Sequence, residues 1–292
     1  MKDEERVITR PGGALIRYRL MPGEGKEKVL VMLHGMASNL SRWWEFFEKT
    51  DLAGSWNLLR MDLRGHGASL YRGRVGMETW SDDLSAVLDA EGFERAVIGG
   101  HCLGANLALF FAARHGRRTK GLVLIEPMPP AALTGELKRL QPFKPLARGL
   151  VRFILALNVM GMYRRNLPEL DLRKLDTETR ERVAREGSDE AMTKRYARPG
   201  ADMRYLPSAV YIQDSLEVSR PLPPLEGIRV PVLSLISAGG LLSNPAVTQK
   251  VLERLSGNQV KILPARHWIP TECGDEMRIE IERWCRAREG GV

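Results

Sequence analysis

The strongest chemical signal in the chain is the run Ala96-Val97-Ile98-Gly99-Gly100-His101-Cys102-Leu103-Gly104-Ala105-Asn106. A short apolar strand pattern enters G-x-C-x-G and leaves at once as a helical pattern, which is a nucleophile elbow with cysteine in the serine place. Such a turn is tight, and Gly100 and Gly104 remove the side chains that would collide where strand and helix cross. The turn also sets the sulfur at a helix N-terminus, where the macrodipole and free N–H groups favour the reactive thiolate. An isolated cysteine would be read as a small buried hydrophobe. Here strand, glycine spacing and following helix agree on a nucleophile. A thiol with a pKa near ~8.5 is only partly ionised at neutral pH, so a base is needed. Five histidines are available: His34, His66, His101, His115 and His267. Cys273 and Cys285 fall near or within the last helical pattern and are read as structural. The three cysteines offer no CxxC spacing, so neither a metal nor a cofactor is expected.

The elements that must hold these residues follow from periodicity. Short runs rich in Val, Ile and Leu, at 6–9, 14–20, 28–33, 57–61, 96–99, 121–125, 232–236 and 260–263, alternate with helical patterns at 40–49, 80–90, 103–114, 246–255 and 276–288. That alternation predicts an α/β fold with an eight-stranded, mostly parallel sheet covered on both faces. Thr79 or Ser81 is expected to cap the second helix. Residues 129–224 interrupt the series between proline clusters and read as an inserted helical cap, leaving 1–128 and 225–292 as the core. Residues 130–225 hold 17 Lys+Arg and 12 Asp+Glu, so this segment carries +5 of the total 44 − 36 = +8. Within it, the apolar stretch 146–163 with basic ends has three readings: lining of a hydrophobic tunnel, contact with a membrane surface, or packing on the core. No run is long enough to span a bilayer, and the first residues lack the apolar core of a signal peptide, so a cytoplasmic location without stable membrane insertion is expected. Interspersed charges without a helix-turn-helix, zinc-finger or aromatic-basic pattern argue against nucleic acid as partner.

With these motifs in view, the chain resembles the α/β-hydrolase fold superfamily over nearly its whole length. The third strand leads into His34-Gly35-Met36-Ala37-Ser38-Asn39 and then Trp43-Trp44, and the fourth into Asp62-Leu63-Arg64-Gly65-His66-Gly67-Ala68-Ser69. In that family the second stretch is mainly structural, which implies that His66 is not catalytic. The resemblance implies that the backbone N–H groups of Met36 and Leu103 form an oxyanion hole. It implies His267, in Ala265-Arg266-His267-Trp268 after the last strand, as the base and acid, and the order nucleophile then histidine is kept. His34, Trp43, His101 and Trp268, beside these motifs, are the expected substrate contacts. Most relatives carry an Asp just beyond the seventh strand, but Gly239 and Gly240 stand there. One group of haloalkane dehalogenases places a Glu after the sixth strand, which implies Glu126 as the third member. Its position at a strand's carboxyl end fits the place where open sheets bind ligands. A loop-holding role for Glu126, Asn244 as a substitute, or a Cys–His pair with no charged orienter are the alternatives.

Cysteine at the elbow resembles dienelactone hydrolases and polyhydroxyalkanoate synthases, although the cap is larger than the former needs and the latter's long N-terminal region is absent. A thiolate attacking a thioester makes another thioester, a nearly isoenergetic exchange that lets an enzyme hold an acyl group. The expected function is therefore that of an acyl hydrolase or acyltransferase on a thioester, ester or lactone, through an acyl-cysteine. The basic cap suits coenzyme A or a carrier-protein phosphopantetheine, with Arg164-Arg165 and the cluster from Arg195 to Arg204 as the sites of contact. Carbon–carbon bond hydrolysis and a non-catalytic ligand-binding role are the competing readings.

Overall fold

The computed structural model describes residues 3–186, 196 and 200–289. Its strands are β1 (Glu4–Arg10), β2 (Ala14–Met21), β3 (Val29–Leu33), β4 (Asn57–Met61), β5 (Ala96–His101), β6 (Thr119–Ile125), β7 (Val232–Ser237) and β8 (Asn258–Leu263). They form one eight-stranded sheet in the order β1-β2-β4-β3-β5-β6-β7-β8. β1 and β2 pair antiparallel, as do β2 and β4, and the remaining pairs are parallel. The inner parallel strands are legible as apolar runs because helices cover both faces, whereas the parallel edge strand β8 is largely exposed. All five residues of β3, Val-Leu-Val-Met-Leu, are buried.

Helices α1 (Trp44–Lys49), α2 (Met77–Ala90) and α3 (Leu103–Arg114) follow β3, β4 and β5. Between β6 and β7 lie α4 (Gly135–Arg139), α5 (Lys144–Val159), α6 (Leu172–Glu186) and α7 (Ser208–Val218). After β7 come α8 (Pro245–Leu252), α9 (Ile269–Glu272) and α10 (Gly274–Arg286). One apolar cluster joins Trp80 and Leu84 of α2, Leu107 and Phe111 of α3 and Leu252 of α8 to one sheet face. A second joins Phe46 and Phe47 of α1 and Met277, Ile281 and Trp284 of α10 to the other. Two sequence expectations are corrected at helix ends. α2 starts at Met77 after Gly76, a turn before Thr79 and Ser81, and the pattern at 40–49 begins as a 3₁₀ turn, Leu40–Trp43, capped by Asn39.

The chain leaves β3 for β4 on one side and returns to β5 on the other, so the strand order reverses at β3. In open α/β sheets the crevice at such a reversal, beyond the strands' carboxyl ends, is where ligands bind. The loop after β3 and the turn after β5 therefore meet: a Cβ built on Gly35 would lie 3.4 Å from Cβ of Cys102. The inserted helices stand over this edge. α5 packs on α7, and α7 on α3. No helix among the described residues is long and apolar enough to cross a membrane.

Candidate active site

Cys102 sits between β5 and α3 with φ 54° and ψ −112°, a conformation that non-glycine residues rarely adopt. Its N–H donates to the Ile125 carbonyl at 2.9 Å, and the helix that follows is tied back by Ala105 and Asn106 N–H bonds to the Cys102 carbonyl. The glycines flanking the turn are required by contact. A Cβ on Gly100 would lie 2.4 Å from the Gly104 carbonyl group, and one on Gly104 would lie 2.4 Å from the Leu33 carbonyl oxygen. Among the described residues, positive φ at non-glycine positions falls at Ala37 (50°), Cys102 (54°) and Glu126 (49°). Ala37 follows the expected oxyanion donor Met36, and the other two are the expected nucleophile and acid. Strain of this kind, of order ~1–3 kcal/mol per residue, persists only where the surroundings hold it.

His267 reaches the same point from the loop after β8. Its Nδ1 donates to Glu126 Oε2 at 3.1 Å, and the Cys102 side chain lies close enough to act on the imidazole's pKa. The other oxygen of Glu126, Oε1, accepts the Ser237 N–H in a short hydrogen bond. Both His267 and Glu126 are buried. Burial alone would lower the His267 pKa, but interactions with Cys102 and Glu126 outweigh it and raise it to about 10. An imidazolium between a carboxylate and a sulfur is the form favoured there. His101 donates from Nε2 to the His267 carbonyl at 2.9 Å and fixes that loop. Burial and then the neighbouring His267 hold the His101 pKa well below its ordinary value, so it stays neutral.

The other candidates fall into place around this centre. Asn244 is turned elsewhere: its side chain caps α8 by accepting the Val247 N–H at 3.1 Å. At the position after β7, Gly239 donates its N–H to Ala265 O at 2.8 Å, which brings that backbone against the His267 loop. Cys273 and Cys285 are buried free thiols, pushed up to about 12 chiefly by burial. Leu103 opens α3, so its N–H belongs to the first turn and has no partner within the helix.

A cavity of about 510 Å³ lies over the sulfur, lined by Cys102, His267, Met36, His101 and Trp268 from the core and by Leu137, Leu140, Leu172 and Met203 from the inserted helices. Two of the four expected substrate contacts, His101 and Trp268, are thus on its wall. The other two are not. Trp43 is fully buried beneath the sheet face that α1 and α10 cover. His34 is locked in the motif it belongs to, with Nδ1 donating to Gly35 O at 2.8 Å and Nε2 accepting the Leu63 N–H at 3.0 Å. Burial, then repulsion from His66, keeps His34 neutral. The Asp62 stretch is likewise a brace: Asp62 accepts the N–H groups of Leu40 (2.8 Å) and Ala68 (2.9 Å), and His66 pairs with Asp214 of α7 at 2.8 Å.

Arg42 and Tyr196 also line the cavity and escaped the sequence reading. The Arg42 guanidinium, nearly buried, donates to both oxygens of Asp176 at 3.0 Å and to Thr271 Oγ1 at 2.6 Å. Its partners lie 134 and 229 residues away, so no local pattern announces the network. Of the basic clusters, Arg164 is committed to the Met203 and Leu206 carbonyls. Arg195 and Arg198 lie outside the described residues, and Arg204 stacks over Tyr205. The stretch 146–163 contributes nothing to the cavity wall, so the tunnel reading of it is not met.

Comparison with known proteins places the fold. The profile of one family, described as the alpha/beta hydrolase fold, matches residues 28–272. A thermophilic esterase from Thermogutta terrifontis superposes with a TM-score of 0.67 at 20% identity, covering 98% of this chain and 99% of that one. The enol-lactonase from Burkholderia xenovorans LB400 superposes with a TM-score of 0.68 at 21% identity, covering 94% and 98%. In sequence, the dihydrolipoyllysine-residue acetyltransferase component of the acetoin cleaving system of Pseudomonas putida is 33% identical over 117 residues. That match covers 39% of this chain and 30% of the relative.

Proposed function

The chain belongs to the alpha/beta hydrolase fold family, and from that premise we propose that it is an acyl hydrolase or acyltransferase working through an acyl-cysteine at Cys102. The observation that carries the reading is that Glu126, hydrogen-bonded to His267, and Cys102 beside that imidazole meet at the wall of the cavity. A thiolate held against an imidazolium needs no separate deprotonation before it attacks. The helices between β6 and β7 serve as a cap, and their leucines give the cavity an apolar wall suited to an acyl chain.

In the proposed cycle Cys102 Sγ bonds to the carbonyl carbon of an ester, lactone or thioester, and the carbonyl electron pair moves to oxygen. The N–H groups of Met36 and Leu103 receive that oxyanion. As the carbonyl re-forms, the bond to the leaving alcohol or thiol breaks and His267 gives that group its proton. His267 then takes a proton from water or an acceptor hydroxyl or thiol, whose oxygen or sulfur attacks the acyl carbon. The C–S bond breaks and the thiolate–imidazolium pair returns. Glu126 keeps the His267 Nδ1 proton in place and stabilises the imidazolium. A leaving group such as coenzyme A or a carrier-protein pantetheine would meet the basic cap. A cytoplasmic setting, which would keep Cys102 a thiol, is part of this proposal.

The test is steady-state hydrolysis of a soluble nitrophenyl acyl ester. Cys102→Ala is expected to lower kcat/KM by at least ~10³-fold, and Glu126→Gln by about 10²- to 10⁴-fold. A Cys102→Ala variant within a few-fold of wild type would refute the nucleophile. A Glu126→Gln variant at full rate would leave Glu126 as a brace for Ser237 alone.

A further inference from the structure

The cap helix α5 turns an apolar stripe to solvent. Leu146, Leu150 and Phe153 recur at i, i+4 and i+7, and they are 72%, 45% and 60% exposed. Phe143 just before the helix, and Val159 and Met160 at its end, continue the exposed surface. The helix is not short of a packing face: Val151 is buried and α5 rests on α7. The exposed stripe is therefore a second, separate face, of a kind that a monomer in water seldom keeps without a use.

The stretch of sequence that carries it is basic, the nearest acidic residues being Glu136 on α4 and Glu169. Residues 137–168 contain seven Lys+Arg (Lys138, Arg139, Lys144, Arg148, Arg152, Arg164 and Arg165) and not one Asp or Glu. Lys144 and Arg164 turn back to backbone carbonyls, of Ser219 and of Met203 and Leu206. Arg148 and Arg152 are exposed on α5 itself, and Lys138 and Arg139 on α4. An exposed apolar helix face, with arginines on the other side of the same helix and no anion between residues 137 and 168, has the make-up of a helix that lies in a bilayer interface. A second copy of the chain would set cations against cations, which disfavours self-docking on this face.

We propose that α5 and its flanks dock the cap onto an anionic phospholipid surface, with Leu146, Leu150 and Phe153 entering the acyl boundary and Arg148 and Arg152 at the headgroup phosphates. Leu140 belongs both to the exposed surface and to the wall of the Cys102 cavity. The docked face thus adjoins the cavity mouth, and an acyl substrate dissolved in the lipid would meet the cavity without crossing bulk water. The docking itself does not depend on the acyl-cysteine chemistry.

The experiment is co-sedimentation of the full chain with vesicles of phosphatidylcholine alone and of an equimolar mixture with phosphatidylglycerol. Binding is expected to the mixture, weakening as salt is raised. At about 1 kcal/mol per basic residue near the surface, and about 1.4 kcal/mol per tenfold, Arg148→Gln with Arg152→Gln should weaken partitioning roughly 30-fold. Leu150→Ser with Phe153→Ser should weaken it at least ~10-fold. Because these side chains are exposed, both pairs should melt and turn over a soluble ester as the wild type does. No preference for the anionic vesicles, or binding untouched by both pairs, would overturn the proposal. So would a wild-type dimer, seen by light scattering, that the serine pair dissolves. Loss of ester turnover in Cys102→Ala with vesicle binding intact is the expected separation of the two readings.

Discussion

His267 is the residue on which the electrostatics of the site converge. Folded, it holds its proton up to about pH 10, against a pKa near ~6.5 in an unfolded chain. The raised value means that the native state binds this proton more tightly. Its stabilising contribution is then complete below about pH 6.5 and is lost as pH rises towards 10. Urea unfolding of wild type and His267→Gln should therefore differ most near pH ~6 and converge towards pH ~10. A constant difference across that range would contradict the ion-pair picture. Cys102 was legible because strand, glycine turn and helix are consecutive in sequence, whereas His267 and Glu126 were reached only through the family resemblance. The absence of a carboxylate at Gly239 and Gly240 is what turned that resemblance towards Glu126. Arg42 was not legible: its type is common on surfaces, and only the fold brings Asp176 and Thr271 to it. Trp43 and His34 show the converse, since adjacency to a motif in sequence does not say which side of the sheet a side chain enters.

Among the elements, α7 binds the cap to the core. Gln213 accepts the Val75 N–H at 3.0 Å, and Val218 O accepts from Asn106 of α3 at 3.1 Å. Asp214 Oδ2 accepts from His66 Nε2 at 2.8 Å and from the Ala37 N–H at 3.1 Å, next to Met36. Burial would lower the His66 pKa, but Asp214 prevails and holds it above the ordinary value. Removing the carboxylate strands a buried imidazole and a buried N–H. Asp214→Ala is thus expected to cost about 3–5 kcal/mol in urea unfolding, whereas a loss below ~1 kcal/mol would show that α7 is not anchored through this residue. The buried strands β3 to β7 announce themselves as largely apolar runs, whereas β1 and β8, at the two edges of the sheet, are largely exposed and show only short apolar patches. The orientation of α5 was not, because periodicity reveals an apolar stripe without revealing what faces it. The start of α2 was missed because its entry, Gly76, carries no capping side chain.

For the whole molecule, the reversal of strand order at β3 brings two loops together, and the cap between β6 and β7 roofs the crevice they form. The sheet fixes Cys102 and Glu126 at neighbouring strand ends, and strain at both positions is held by the packed core beneath. The inserted segment supplies much of the apolar wall and the larger part of the net positive charge, so the proposed acyl selection and the proposed surface contact both draw on residues outside the sheet. The claim on which this account rests is a covalent acyl-cysteine at Cys102. Intact-protein mass spectrometry after brief exposure to activated esters and acyl thioesters tests it most directly. The wild type should gain the mass of one acyl group, and Cys102→Ala should gain none. Equal acylation of the two proteins, or turnover that survives in Cys102→Ala, would contradict it.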